Sequence, residues 1–440
     1  MNVSTAPNPV ELLQALVRFD TTNPPGDEAE AIRYVAGLLR GADLPVGVVG
    51  RNDRRLNLVA RLKGRGEAPP LMLEAHIDVV STEDQTWTHP PFSGEIADGM
   101  VWGRGTLDDK GAVAVMTSAV LRAHAEGYRP PGDVLLVIVA DEEVGGAYGA
   151  QYLVEEHAER FADVRYAIGE GGGYAVHTGD QKFYPIMVAE KHICTVRVLI
   201  RGKSGHGAIP VRGETMAKLS DVLRTLDRRR APVHVTPVTR QMLDVIAGAL
   251  PFPQGAVIGA LRHPLLTDML LDLLGDQGKQ LNPLLHNTFS PTMVRGGNKI
   301  NIIPGEITLD LDGRLLPGYD RDDALRELRG LLGDEVGLEV LHYDSDTPAA
   351  DLDRYETLAD LMRESDPAGT PMPFMVAGGT DARHFAKLGI QMYGFVPFDL
   401  PEGLLDTIHA ADERLPVAAV EQGTDIMFRL LKRFWDNGKR

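Results

Sequence analysis

The stretch VLLVIVADEEVGG, Val134–Gly146, decides how this chain reads. Its unbroken aliphatic run is the mark of a strand buried on both faces. The run ends on three carboxylates, Asp141, Glu142 and Glu143, followed by two glycines. Adjacent anions at the end of a buried strand repel one another unless solvent or a cation compensates them. In an extended segment neighbouring side chains point in different directions, so one of Glu142 and Glu143 is able to hold a cation while the other faces the solvent or substrate side. A solvated acidic loop is the plain alternative.

Working outward, PPLMLEAHIDVV (69–80) is a second strand after a proline pair, and DKGAVAVMTSAVLRAHAEG (109–127) is a helix closed by Gly127. YAIGEGGG (166–173) is a short buried run that again ends in glycines. Strand, helix, strand in this order predicts an α/β fold, a sheet with helices on its faces. From about residue 191 the character changes. ICTVRVLIRG (193–202) alternates, with Cys194, Val196, Val198 and Ile200 on one side, as does EITLDLDGRLLPG (306–318), and DRDDALRELRGLLGD (320–334) is an amphipathic helix. After about 344 the signals of the first part return. The expected organisation is a catalytic domain, 1–190 and 344–440, with a mixed sheet flanked by helices. A smaller α+β domain, 191–343, is inserted into it and carries an extra helical segment, 232–296.

The chain has 440 residues, 43% apolar and 24% charged, in the range of ordinary globular proteins with a large core. A net charge of -17 argues against nucleic acid, whose phosphates require a basic surface. The start, MNVSTAPNPVELLQALVRF, lacks a basic segment followed by an apolar one, and no stretch reaches the ~18 apolar residues of a membrane span. A cytoplasmic protein without membrane contact is expected. One cysteine, Cys194, excludes internal disulfides and a thiolate metal cluster, so any metal site is built from His, Asp and Glu.

Each candidate ligand has an ordinary reading when taken alone. His76 and Asp78 lie two apart on one strand face, where Asp78 is able to accept a ring N–H from a metal-bound His76. Asp108, in VWGRGTLDDKG (101–111), stands at the mouth of a helix, where it or Asp109 also serves as a cap. Glu170 follows a buried run, and His409 lies in LLDTIHAADERLP (404–416). Taken together, His76, Asp108, Glu143, Glu170 and His409 all fall where buried segments end, and in an open α/β sheet such ends converge on one crevice. Two histidines with three carboxylates form a ligand set for a pair of Zn ions, with Co or Mn as substitutes.

At these residues the chain resembles a family of zinc peptidases and deacylases. It includes acetylornithine deacetylase, succinyl-diaminopimelate desuccinylase, carboxypeptidase G, aminoacylase and carboxypeptidase S. The resemblance spans the chain and rests on five ordered motifs, HID, GRGTLDDKG, DEEVGG, IGEGG and IHAADE. It implies that Asp108 bridges two zinc ions completed by His76, Glu170, Glu143 and His409, that Asp78 orients His76, and that Glu142 is the general base activating water. It also implies a cis peptide between Asp108 and Asp109, and a homodimer formed through the inserted domain. Within GKSGHGAIP (202–210), His206 would reach the partner subunit's site and stabilise an oxyanion. Asn301 in GGNKINIIPGE, Arg314 in DGRLLPG, and Gly379 and Arg383 in GGTDARHF would bind substrate. The long 232–296 segment is nearest to the carboxypeptidase S branch.

The implied activity is cleavage of an amide beside a free carboxylate, as in a carboxypeptidase or dipeptidase. An N-acyl-amino-acid amidohydrolase uses the same groups and is the alternative. A metal-binding scaffold without catalysis is the remote one. The expected partners are a small peptide or N-acyl amino acid and a second copy of the chain.

Overall fold

The computed structural model describes residues 8–344 and 350–436. The chain divides into two compact units, the first comprising residues 1–188, 350–374 and 380–440, the second residues 189–349 and 375–379. The expected borders stood at 190/191 and 343/344.

The first unit is built on a mixed sheet. Its strands are β1 (Val46–Gly50), β2 (Leu56–Leu62), β3 (Leu71–His76), β6 (Val134–Val139), β7 (Tyr166–Gly169), β8 (Val176–Thr178), β9 (Gln181–Glu190), β16 (Gly369–Val376) and β17 (Gln391–Gly394), in the order β1-β2-β6-β3-β7-β17-β9-β16 with β8 on β9. The central strands β6, β3, β7 and β17 are parallel neighbours, whereas β1 and β2 run antiparallel at the edge. Parallel strands require crossovers that place helices on the faces. These are α1 (Pro9–Val17), α2 (Ala29–Gly41), α3 (Lys110–Ala125), α4 (Ala150–Glu156), α11 (Tyr355–Ser365), α12 (Ala382–Ala386) and α13 (Val417–Arg433). Helix α3 lies against β3 and β6 and is covered by α1 and α13, which buries it from Lys110 to Leu121. A ribbon of β4 (Ile96–Ala97), β5 (Met100–Trp102) and β18 (Arg414–Pro416) ties the loop before α3 to the loop before α13.

The second unit carries a four-stranded antiparallel sheet. Its order is β12 (Thr288–Gly296), β14 (Glu306–Leu315), β10 (His192–Arg201), β15 (Gly337–Tyr343). Cys194, Val196, Val198 and Ile200 of β10 form one apolar row, packed with Ile307, Leu309 and Leu311 of β14, Val222 of α5 (Thr215–Arg228) and Leu328 of α10 (Arg321–Leu332). A small pairing of β11 (Gly205–His206) with β13 (Ile302–Ile303) stands apart. The 232–296 segment supplies α6 (Pro237–Ala249), α7 (Gln254–Ala260), α8 (Pro264–Leu273) and α9 (Asp276–Leu281), and then runs into β12. Among the described residues no helix is long and apolar enough to cross a membrane.

Candidate metal centre

Three of the predicted ligands arrive on adjacent parallel strands. His76 is the last residue of β3, opposite Val139 of β6. Glu142 and Glu143 follow β6, and Glu170 follows β7, whose Ile168 is opposite Leu73. The carboxyl ends of β6, β3 and β7 therefore deliver their side chains to one place. Asp108 comes from the loop before α3 and His409 from the loop before β18.

These five side chains form two donor sets that share Asp108: His76, Asp108 and Glu170, and Asp108, Glu143 and His409, with donor atoms in each set within 4.8 Å of one another. His76 Nε2 lies 2.9 Å from Asp108 Oδ1, and His409 Nε2 lies 3.0 Å from Asp108 Oδ2 and 3.3 Å from Glu143 Oε2. The Asp108–Asp109 peptide is cis.

Burial sets the electrostatics. Burial pushes Glu142 up to about 7, with Glu143 and Asp108 adding to the rise and His76 opposing it. Glu170 is held well above the usual carboxylate range by burial and by the charge of Glu142. Hydrogen bonds to Asp108 and Glu143 push His409 up to about 10. Burial disfavours a charged His76, but Asp108, Asp78 and Glu170 override it and hold the ring well above its usual value. The carboxylates thus draw positive charge onto whatever lies between them. Glu143 Oε1 is buried without a hydrogen-bond partner, an unmet acceptor beside the Asp108–His409 contact. Imidazole nitrogens and carboxylate oxygens in two sets with one shared carboxylate fit a pair of divalent ions.

The turn carrying Glu142 and Glu143 differs from the extended segment expected from sequence. Asp141 adopts a left-handed conformation, φ 72°, and Glu142–Val144 then form a single turn of 3-10 helix ended by Gly145, φ 108°. The reason lies in Asp141. Its carboxylate points inward and accepts from Arg55 Nη2 at 2.5 Å, Asn23 Nδ2 at 3.0 Å and the Tyr148 N–H at 2.9 Å. Gly146, φ 76°, closes the turn so tightly that a Cβ there would stand 2.8 Å from Asp381 Oδ1.

Asp78 lies beside His76, but the closer contact of the ring uses its main chain. His76 Nδ1 is 3.1 Å from the Asp78 carbonyl and 3.6 Å from the carboxylate. The carboxylate instead accepts the N–H groups of Glu142 and Glu143, at 3.1 and 3.2 Å, and Asn23 Nδ2 at 2.8 Å. Asp78 therefore links His76 to the Glu142 turn. Glu413, fully buried, does the same for the Asp108 loop. It accepts from Arg104 Nη1 at 2.6 Å and from the N–H groups of Gly105, Leu107 and Asp108 at 3.0, 2.7 and 3.2 Å.

Arg383, on α12, has Nε 3.2 Å from His384 Nε2, and its Nη2 stands 3.9 Å from the position a Cβ on Gly145 would take. In the second unit His206 is paired with Ile302 in β11/β13, and just beyond it the Gly207 N–H donates to the Asn301 carbonyl at 2.8 Å. Arg314 is held by Asp312, with Nε and Nη2 at 2.8 and 3.3 Å from its two oxygens. Gly379 closes the 375–379 segment of the same unit. Sequence reasoning missed Asn23, Arg55, Asp141 and Glu413. Two signals were present: Asn23 opens the NPPG turn, and Glu413 ends the IHAADE motif.

The profile of peptidase family M20/M25/M40 matches residues 72–433. The chain is 27% identical over 373 residues to an N-fatty-acyl-amino acid synthase/hydrolase PM20D1 of Xenopus tropicalis, covering 82% of this chain and 72% of that one. It is 26% identical over 388 residues to a probable carboxypeptidase S-like 2 of Dictyostelium discoideum, covering 86% and 74%. The fold is similar to that of a family M20 metallo-carboxypeptidase, Sso-CP2, from Sulfolobus solfataricus, with TM-score 0.67 at 15% identity, covering 97% of this chain and 99% of that one.

Proposed function

The chain belongs to peptidase family M20/M25/M40, and from that membership and the site's geometry we propose a di-zinc hydrolase of amides whose amine side carries a free carboxylate. Metal-dependent amide hydrolysis is the chemistry of the family. The observation that carries the finer reading is the pair of donor sets sharing Asp108 with Glu142 beside them. One ion would be held by His76, Asp108 and Glu170, the other by Asp108, Glu143 and His409. Bound there, the ions supply Lewis acidity at the substrate carbonyl and neutralise the clustered carboxylates.

The chain's own groups do the rest. A carboxyl beside both donor sets and not itself in either is placed to take and return a proton, and Glu142 stands there. It takes the proton of the attacking water and delivers it to the leaving amine. Asp78 keeps His76 and the Glu142 turn in register. His206 Nδ1 accepts the Ala208 N–H at 3.1 Å, which leaves Nε2 as the N–H donor of a neutral ring, the form that stabilises an oxyanion. Arg383, with Gly379, Asn301 and Arg314, would engage the substrate, its carboxylate foremost. His206 would act on the site of a partner subunit, so the working unit is a homodimer joined through the second unit.

A peptide and an N-acyl amino acid place the same amide and carboxylate before these groups. The likeness to the carboxypeptidase S-like protein supports the first reading, and that to the N-fatty-acyl-amino acid hydrolase the second. The central test is Glu142→Gln. The variant is expected to keep its metal by elemental analysis while kcat falls by ~10²–10⁴. Turnover near wild type with metal bound would remove Glu142 from the role.

A further inference from the structure

Beside the donor sets, within the first unit, lies a pocket of about 180 Å³. Its apolar walls are Leu107, Val396, Phe398, Leu400, Leu405 and Ile408, and Asp108, Asp109, Glu170 and Tyr174 line it as well. We propose that this pocket is the acyl subsite, and that the substrates are N-acyl amino acids with an uncharged apolar acyl group of up to about six carbons. This rests on the amide-hydrolase reading above.

Three observations lead there. First, walls and ligands share a backbone. Leu107 precedes Asp108 and Ile408 precedes His409, so a group seated against these walls lies next to the centre where a carbonyl would be attacked. Val396, Phe398 and Leu400 are 4%, 2% and 1% exposed, which fixes the inner wall, while Leu405 and Ile408 are partly buried.

Second, among the described residues no Lys or Arg lines the pocket. An ionised carboxylate seated against these aliphatic walls would lose its water with no Lys or Arg among the lining residues to pair with it, so the carboxylate-bearing amine side belongs elsewhere and the acyl chain belongs here. Third, the size is selective. An apolar cavity of ~150 Å³ lined by Leu, Ile and Phe takes up benzene, so this one suits roughly six carbons. A protonated α-amine on the acyl residue would lose water against aliphatic walls. Asp109, whose buried Oδ2 has no hydrogen-bond partner, is with Asp108, Glu170 and Tyr174 a lining group able to attract such an amine.

The test uses the zinc-loaded full chain and a series of N-acyl amino acids from acetyl to decanoyl. It adds the matched pair of leucyl and 4-methylpentanoyl derivatives, which differ only by the amine. Expected is a rise in kcat/KM of about fourfold per methylene up to hexanoyl, then a plateau, with the 4-methylpentanoyl substrate preferred. Leu405→Trp, filling the mouth, should lower the hexanoyl-to-acetyl ratio at least tenfold, and Leu405→Ala should move the plateau to longer chains. Calorimetric binding of acetate, butyrate and hexanoate to the same protein gives a readout without turnover.

If no amide is cleaved but hexanoate binds at least tenfold tighter than acetate, the pocket stands and the hydrolase reading falls. Cleavage indifferent to chain length, preference for the leucyl substrate, or binding independent of length each overturns the subsite.

Discussion

Arg55 is buried between two carboxylates, with Nε 2.8 Å from Glu28 Oε2 and Nη2 2.5 Å from Asp141 Oδ1. Burial pushes Glu28 up to about 7 in spite of the opposing pull of Arg55. Removing the guanidinium would leave two buried carboxylates without their cation, and breaking a buried pair from one side costs ~3–5 kcal/mol. Arg55→Met is therefore expected to lose about that much in urea unfolding, and Arg55→Met/Glu28→Gln to recover part of it because one unpaired charge is gone. If the double variant is no more stable than the single, the loss comes from packing of the Arg55 stem and the electrostatic account is wrong. The same guanidinium explains the three acids that end β6. Asp141 belongs to Arg55, Glu143 to the shared donor set, and Glu142 stands between them with its carboxyl unclaimed by a cation of the chain.

At the scale of elements, the loop of Gly103–Asp109 is held by a carboxylate from a ribbon more than 300 residues away in sequence. Glu413 accepts four hydrogen bonds there, three from main-chain N–H groups, and Arg104 depends on it for charge. Glu413→Gln places an NH2 group against donors. The shared ligand Asp108 then loses its support, and metal affinity should fall ~10–100-fold. Titration against a chromophoric chelator measures this, and unchanged affinity would show that the loop holds itself. This dependence also marks what the sequence discloses. The candidate metal ligands are legible because each follows an apolar run or sits in a glycine-rich loop, and both signals are local. Arg55 carries no such mark, and Glu413 is marked only by ending the IHAADE motif, since the roles of both exist only once distant segments meet. For the same reason the 3-10 turn at Glu142 was not legible: its left-handed start follows from the pull of Arg55 and Asn23 on Asp141. In the 232–296 segment α6 and α8 were legible as helices and each has proline in its first turn, whereas the short α7 and α9 were not.

Across the whole molecule, removing the metal should make stability depend on pH in a stated direction. Glu28 and Glu142 are pushed up to about 7 and Glu74 to about 8 from 4.5, chiefly by burial. Between 4.5 and those values the folded chain binds more protons than the unfolded chain, so their contribution is present at low pH and lost as pH rises. His409, pushed up to about 10 from 6.5 by Asp108 and Glu143, acts in the same direction between 6.5 and 10. Metal-free protein should thus melt at a lower temperature at pH 8 than at pH 5.5, and divalent metal should restore the most stability at pH 8; a metal-free Tm that rises over that interval contradicts it. The assembly is open to an equally direct test. The strand β12 is the edge of its sheet and is exposed from Ser290 to Gly296, with Met293 48% and Val294 53% exposed, and an uncovered apolar edge invites a second strand. If two copies join there and exchange His206, a chain with Glu142→Gln and a chain with His206→Ala, each inactive alone, together build one intact site per mixed dimer. Random mixing should then restore about a quarter of wild-type activity, because half the dimers are mixed and each has one working site of two. The recovery should vanish when Val294→Asp is added to both chains and sedimentation shows monomers. Absence of recovery in proven mixed dimers would place His206 in the site of its own chain.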